Sequence, residues 1–277
     1  MRERLVKDVT DAYASVKVGG NAVQPGRPGL RGFYPLLALA ISSTIYWGFY
    51  YTYFGPLFGG QYPEVSPAIH VHGWSFFLWY VLFPLQAVLM ATGHRRLHFT
   101  LGGVSVGLAA VMTFTGLLVA SVRIDQGLSA PDPDKFTTFW KNFGQLIFYS
   151  LMVFAGFYAT AIANRDRPEI HKRLMIIASA SALPAGIFRI IVGVSGFYWL
   201  QTPGWVMPAA FFLPCIFILI GIIYDLAAFR SVHRVYLIGL PIVIGVYALG
   251  LGLAGTAPGE VVSRFVARFS DAFGFLY

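Results

Sequence analysis

Charge is scarce in this chain. Asp, Glu, Lys and Arg make up 12% of its 277 residues, about half the share found in an ordinary globular domain. Hydrophobic residues make up 57% and mean hydropathy is +0.66, so too few charges remain to cover a surface that faces water. Most of that surface must face lipid. A single cysteine, Cys215, excludes an intramolecular disulfide. Acidic residues are missing from the middle of the apolar stretches, which argues against a proton or ion pump. The last stretch has no lysine and so cannot hold a retinal Schiff base. Walker and Gly-rich dinucleotide motifs are missing too, as are paired carboxylates suited to hydrolysis.

What the chain does have is apolar length. Seven stretches, at about 34–54, 70–92, 99–121, 139–163, 174–197, 205–228 and 235–254, approach or exceed the roughly 20 residues needed to cross about 30 Å of hydrocarbon. They predict an all-α fold, a polytopic bundle of seven transmembrane helices filling residues 33–256. Residues 1–32 read as a polar tail with no cleavable signal peptide ahead of the first span. Of the 20 Lys and Arg, 14 fall in that tail and in the turns on its side, and four on the opposite side. The bias puts the N-terminus in the cytoplasm. The net charge of +8 is then a topology signal, and no nucleic acid is needed to explain it. After the last span, Val261, Phe265, Phe269 and Phe273 recur every four residues among Glu260, Arg264, Arg268 and Asp271. That pattern predicts an amphipathic helix over 257–277, lying in the outer interface.

Three cytoplasmic turns each end on a histidine: Arg95-Arg96-Leu97-His98, Arg167-Pro168-Glu169-Ile170-His171 and Arg230-Ser231-Val232-His233. His94, His98, His171 and His233 therefore share the inner layer. His70 and His72 open the second span some 26 residues earlier, about 39 Å away along a helix, so the two groups cannot share a metal or a porphyrin. His98 and His171 start the third and fifth spans, which run in the same direction, so they sit at equal depth. That arrangement suits two imidazole ligands of a haem b. The alternatives are a divalent metal held by His94, His98, His171, His233 and Asp225, which would be zinc-like chemistry with an open position, or no cofactor. In the outer layer, His70, His72, Asn142, Gln145 and Arg189 predict a polar pocket open to the outer face. Arg189 has no carboxylate in any outer span half. Gln145 and backbone carbonyls are its expected partners, with an anionic ligand, a quinone or a lipid headgroup completing the pocket. On a helix His70 and His72 diverge. Only if Pro67 keeps that segment extended could they form a copper-type pair.

His98-Phe99-Thr100-Leu101-Gly102 resembles the His-x-x-Leu-Gly that opens a haem-bearing helix in ascorbate-reducible transmembrane b-type cytochromes. His171-Lys172-Arg173-Leu174-Met175 stands where the partner ligand of that helix would lie, two spans on. The resemblance implies one inner haem b and electron transfer. It does not extend to the second haem of those cytochromes, because Gln145 stands where the partner of His72 would be. Residues 33–235 are also similar to an uncharacterised family of bacterial multi-pass inner-membrane proteins. The likeness rests on His70-Val71-His72-Gly73, the Leu97-His98 turn with Gly102, and Pro168 to Met175. It implies the bacterial inner membrane and no particular activity. A cytochrome, a histidine-metal membrane enzyme and a non-catalytic accessory subunit packed against other membrane subunits remain open.

Overall fold

The computed structural model describes residues 32–196 and 202–277. The tail expected over 1–32 lies outside the described residues, Gly32 apart, as does the last residue of the span expected over 174–197. All regular structure in them is helical. In chain order the helices are α1 (Phe33–Phe49), α2 (Gly55–Phe58), α3 (Pro67–Ala91), α4 (Arg95–Ser129), α5 (Lys135–Ala163), α6 (Pro168–Ser181), α7 (Pro184–Ser195), α8 (Val206–Phe212), α9 (Cys215–Phe229), α10 (Arg234–Leu253) and α11 (Ala257–Phe273). A π-helical turn, Tyr50–Phe54, joins α1 to α2.

Five helical segments are long and apolar enough to cross a membrane: α3, α4, α5, α8 with α9, and α10. The chain is thus a multi-pass membrane protein by length and composition. The pair α6 and α7 passes the same test only together, across a 45° bend. This is the stretch expected as one span over 174–197. Pro184 opens α7, and a proline cannot continue the preceding helix because it lacks an N–H and crowds the turn before it. The Ser181 carbonyl at the break accepts from Ser150 Oγ at 2.8 Å and from the Tyr247 hydroxyl. Neighbouring helices therefore satisfy the backbone where the span is interrupted.

Local signals set several helix starts. Ser66 accepts from the Ala68 N–H at 3.2 Å with Pro67 in the first helical position, a capped start. His70 and His72 are therefore helical and diverge, and the extended segment needed for a copper-type pair does not form. Asp134 caps α5 through the Thr137 N–H at 2.8 Å. Helix α4 outruns its expected span by a full two turns, so Arg123 is helical and the outer loop shrinks to residues 130–134.

The core is aromatic. Trp79, Tyr80, Phe154, Tyr236 and Tyr247 are buried across α3, α5 and α10. Helices α1 and α7 cross at Gly48 and Gly186, where a Cβ on Gly48 would overlap the Gly186 carbonyl, the small-residue contact of packed membrane helices. Gly255, at φ +70°, turns the chain from α10 into α11. The expected four-residue stripe of α11 is split. Phe269 and Phe273 meet Phe114 of α4 edge-on, while Val261 and Phe265 point outward at 68% and 63% exposure. The face against α4 and α5 is instead Gly259, Ser263, Val266 and Ala267.

Candidate functional site

His98 stands in the first turn of α4, with Nδ1 3.3 Å from the Gln86 carbonyl of α3. His171 stands in the first turn of α6, with Nδ1 2.8 Å from the Ala161 carbonyl at the end of α5. A carbonyl can only accept, so in both rings Nδ1 carries the proton and Nε2 keeps its lone pair. The Ala161 carbonyl lies in the last turn of α5 and also accepts from the Asn164 N–H at 3.2 Å. Both rings are half-buried and lie within electrostatic reach of each other. Two imidazoles of fixed tautomer thus stand at the starts of α4 and α6, each anchored to the helix before its own.

The other donors of the metal alternative are occupied elsewhere. His94 is exposed and pairs with Thr92 Oγ1 at 2.9 Å. His233 caps α10, its Nδ1 accepting from the Val235 N–H at 3.2 Å. Burial, then the nearby Arg173, hold its imidazole below the usual histidine range. Asp225 is fully buried and bound by Arg173, Nε to Oδ2 at 3.0 Å and Nη2 to Oδ1 at 2.5 Å. Its Oδ2 also accepts from the His233 N–H at 3.1 Å. Among the described residues no group of three His, Cys, Asp or Glu is arranged to hold a metal ion. Of the five expected donors, Asp225 serves Arg173, His233 caps α10 and His94 meets Thr92.

Arg173, one of the basic residues counted on the cytoplasmic side, is not a surface cation. Its side chain is 3% exposed. Besides the fork on Asp225, Nη1 reaches the Glu169 carbonyl at 2.8 Å and Oε2 at 2.7 Å. Lys172 meets Glu169 Oε1 at 2.7 Å and lies 4.6 Å over the Tyr34 ring. This cluster ties α6 to α9, α10 and α1. The signal available was Asp225 itself, a carboxylate in an apolar run that needs a cation; the sequence points to Lys172 or Arg230, and the partner is instead Arg173.

At the other end, His72 Nδ1 lies 3.4 Å from Thr115 Oγ1 of α4, and Arg189 lies within electrostatic reach of it. His70 Nδ1 meets the Tyr53 hydroxyl at 3.0 Å. Arg189 gives Nε to Thr52 Oγ1 at 3.0 Å and Nη1 to the Ala185 carbonyl at 2.9 Å, and stacks 4.2 Å over Phe49. The expected carbonyl partner is there, and the expected Gln145 is replaced by Thr52, presented by the π-helical turn. Among the described residues Arg189 has no carboxylate partner. Gln145 is fully buried, with neither amide atom hydrogen-bonded, and is sealed under Gly259 of α11. Asn142 lines a separate cavity of about 360 Å³ with Lys135, Thr138 and Met207. The single outer pocket thus resolves into an Arg189–His72 region, a buried Gln145 and the Asn142 cavity. Comparison of the chain with family models, with curated proteins and with solved structures gave no match.

Proposed function

We propose that the chain is a seven-span protein of the bacterial inner membrane, N-terminus cytoplasmic, that holds one haem b near the cytoplasmic face and passes single electrons. The count of seven is supported by α1 and α2, which with the π turn give a helical run from Phe33 to Phe58, and by taking the bent pair α6 and α7 as one span. The orientation is supported by the 14-to-four division of basic residues.

One observation carries the haem reading: His98 and His171 each donate Nδ1–H to a carbonyl and keep Nε2 free. Histidines that bind metal characteristically anchor the other ring nitrogen in this way, which fixes the ring and its tautomer. The donor count points the same way. A bare divalent ion needs three or four protein ligands, whereas a haem would ask the chain for two at most, here His98 and His171. Bound there, haem would supply reversible one-electron chemistry. The chain would supply the two imidazoles and a half-buried setting beside Gln86. The His-x-x-Leu-Gly resemblance of residues 98–102 adds to this reading.

The test is the visible spectrum of the purified protein, oxidised and then reduced with dithionite, after expression with ample haem. The expected result is the sharp α-band of a six-coordinate b haem, lost in His98→Ala and in His171→Ala and kept in His94→Ala and His233→Ala. A folded protein that takes up no haem, or an α-band that survives both substitutions, overturns the assignment.

A further inference from the structure

We propose that the Asn142 cavity binds the headgroup and upper acyl region of an anionic phospholipid. The inference rests on the bundle lying in a bilayer and not on the haem reading. The cavity, about 360 Å³, is within the range of small-ligand sites, though near its lower limit. Lys135, Thr138, Phe139, Asn142 and Phe143 lie on one face of α5, at helical spacings of three and four. Opposite them stand Met207 and Pro208 of α8 and Leu251 of α10.

The polarity of this lining is graded. Lys135, at the first position of α5, is exposed and makes no ion pair among the described residues. The neighbouring Asp134 turns its Oδ1 to the Thr137 N–H and hydroxyl, each at 2.8 Å, and makes no ion pair with Lys135 among the described residues. Asn142, seven residues and so about 10 Å deeper along the helix, has a carboxamide with no hydrogen-bond partner among the described residues. Between and beside them the walls are aromatic and aliphatic. A phospholipid has the same order: an anionic phosphate outermost, ester carbonyls beneath it, then hydrocarbon. A free anion would leave the apolar walls wet. A purely apolar guest would leave the Asn142 amide and the Lys135 charge unanswered.

Native mass spectrometry of the detergent-purified chain, offered phosphatidylglycerol or phosphatidylcholine, tests this. The expected result is one retained phosphatidylglycerol, favoured over phosphatidylcholine by about fivefold, which at 1.4 kcal/mol per tenfold is about 1 kcal/mol for one basic residue on an anionic lipid. Lys135→Glu, at an exposed position, should erase that preference with an unchanged thermal transition. Asn142→Leu should weaken retention of both lipids, and Asn142→Trp should block it by filling the cavity. Equal retention of the two lipids by the parent chain, a preference untouched by Lys135→Glu, or displacement of the lipid by inorganic phosphate alone would each overturn the proposal. Because lipid retention is read without haem, its failure leaves the spectroscopic test of His98 and His171 standing.

Discussion

Arg173 and Arg189 are both cations inside apolar helices, and they are met in different ways. Arg173 is forked onto the fully buried Asp225 and reaches Glu169 with its remaining nitrogen. Arg189 finds a threonine hydroxyl, a carbonyl and a phenyl face, with no carboxylate among the described residues. The difference follows the rest of each end. Around Arg173 the charged groups close on one another and join four helices. At the Arg189 end Gln145, Asn142 and Lys135 have no hydrogen-bond or ion-pair partner among one another. Polar groups closed on one another hold helices together. Polar groups left open are where a ligand or a lipid can add contacts.

The largest effect should come from opening the closed end. Asp225→Ala leaves the Arg173 guanidinium buried with part of its donor set unmet, and removing one partner of a buried pair costs about 3–5 kcal/mol. It also strips the acceptor from the His233 N–H that starts α10. Replacing both partners, Arg173→Met with Asp225→Leu, should recover most of that loss. Thermal unfolding in detergent micelles, followed by helical circular dichroism, measures both. A double variant as unstable as Asp225→Ala would mean that Glu169 and His233, and not the pair itself, carry the joint.

The same contrast shows what the residues declare in advance. The helices were legible because apolar runs of about 20 residues leave a chain few alternatives. Their interruptions were partly legible: Pro184 marks the bend, but nothing in Tyr50–Phe54 announces a π turn, which inserts one residue against tertiary packing. That His98 and His171 each open a helix could be read from the sequence. Their Nδ1 anchors could not, since these use backbone carbonyls 10 and 12 residues back, and main-chain acceptors carry no sequence signature. Arg173 was hidden for a different reason. Its charge counts equally toward the positive-inside bias whether it faces water or Asp225, 52 residues away. The Asn142 cavity depends on three helices meeting, and only the α5 stripe of it lay in one stretch of sequence.

A smaller effect, of opposite sign, is expected at the open end. Gln145 buries an amide with no hydrogen bond, and an unmet buried amide costs on the order of 1–3 kcal/mol. Gln145→Leu keeps the volume and removes that cost, so it should raise stability by about 1–2 kcal/mol in the same unfolding assay. A clear loss instead would show that Gln145 is satisfied by a bound water or ligand, and would move the open end closer in kind to the Arg173 end.

The smallest effect belongs to the clasp between α11 and α5, where Glu260 meets Arg264 at 2.6 Å and Lys141 at 3.4 Å. The Arg264 hydrogen bond first, then the Lys141 charge, hold the Glu260 carboxyl below its ordinary value of 4.5. A carboxyl lowered by folding favours the folded state above its unfolded value, and the contribution fades as pH falls through the lowered one. Acidification below about pH 4.5 should therefore loosen α11 slightly and leave the spans intact, because these side chains are partly exposed and water screens them. Hydrogen-exchange protection across residues 257–273, corrected for the intrinsic pH dependence of amide exchange and compared at neutral and acid pH, reads this. Glu260→Gln should exchange faster at neutral pH and lose the pH dependence. If α11 is equally protected at both pH values in the parent chain, Val266, Ala267, the Ser263 hydrogen bond and the Phe114 contacts hold it, and the clasp is no part of the contrast between the two ends.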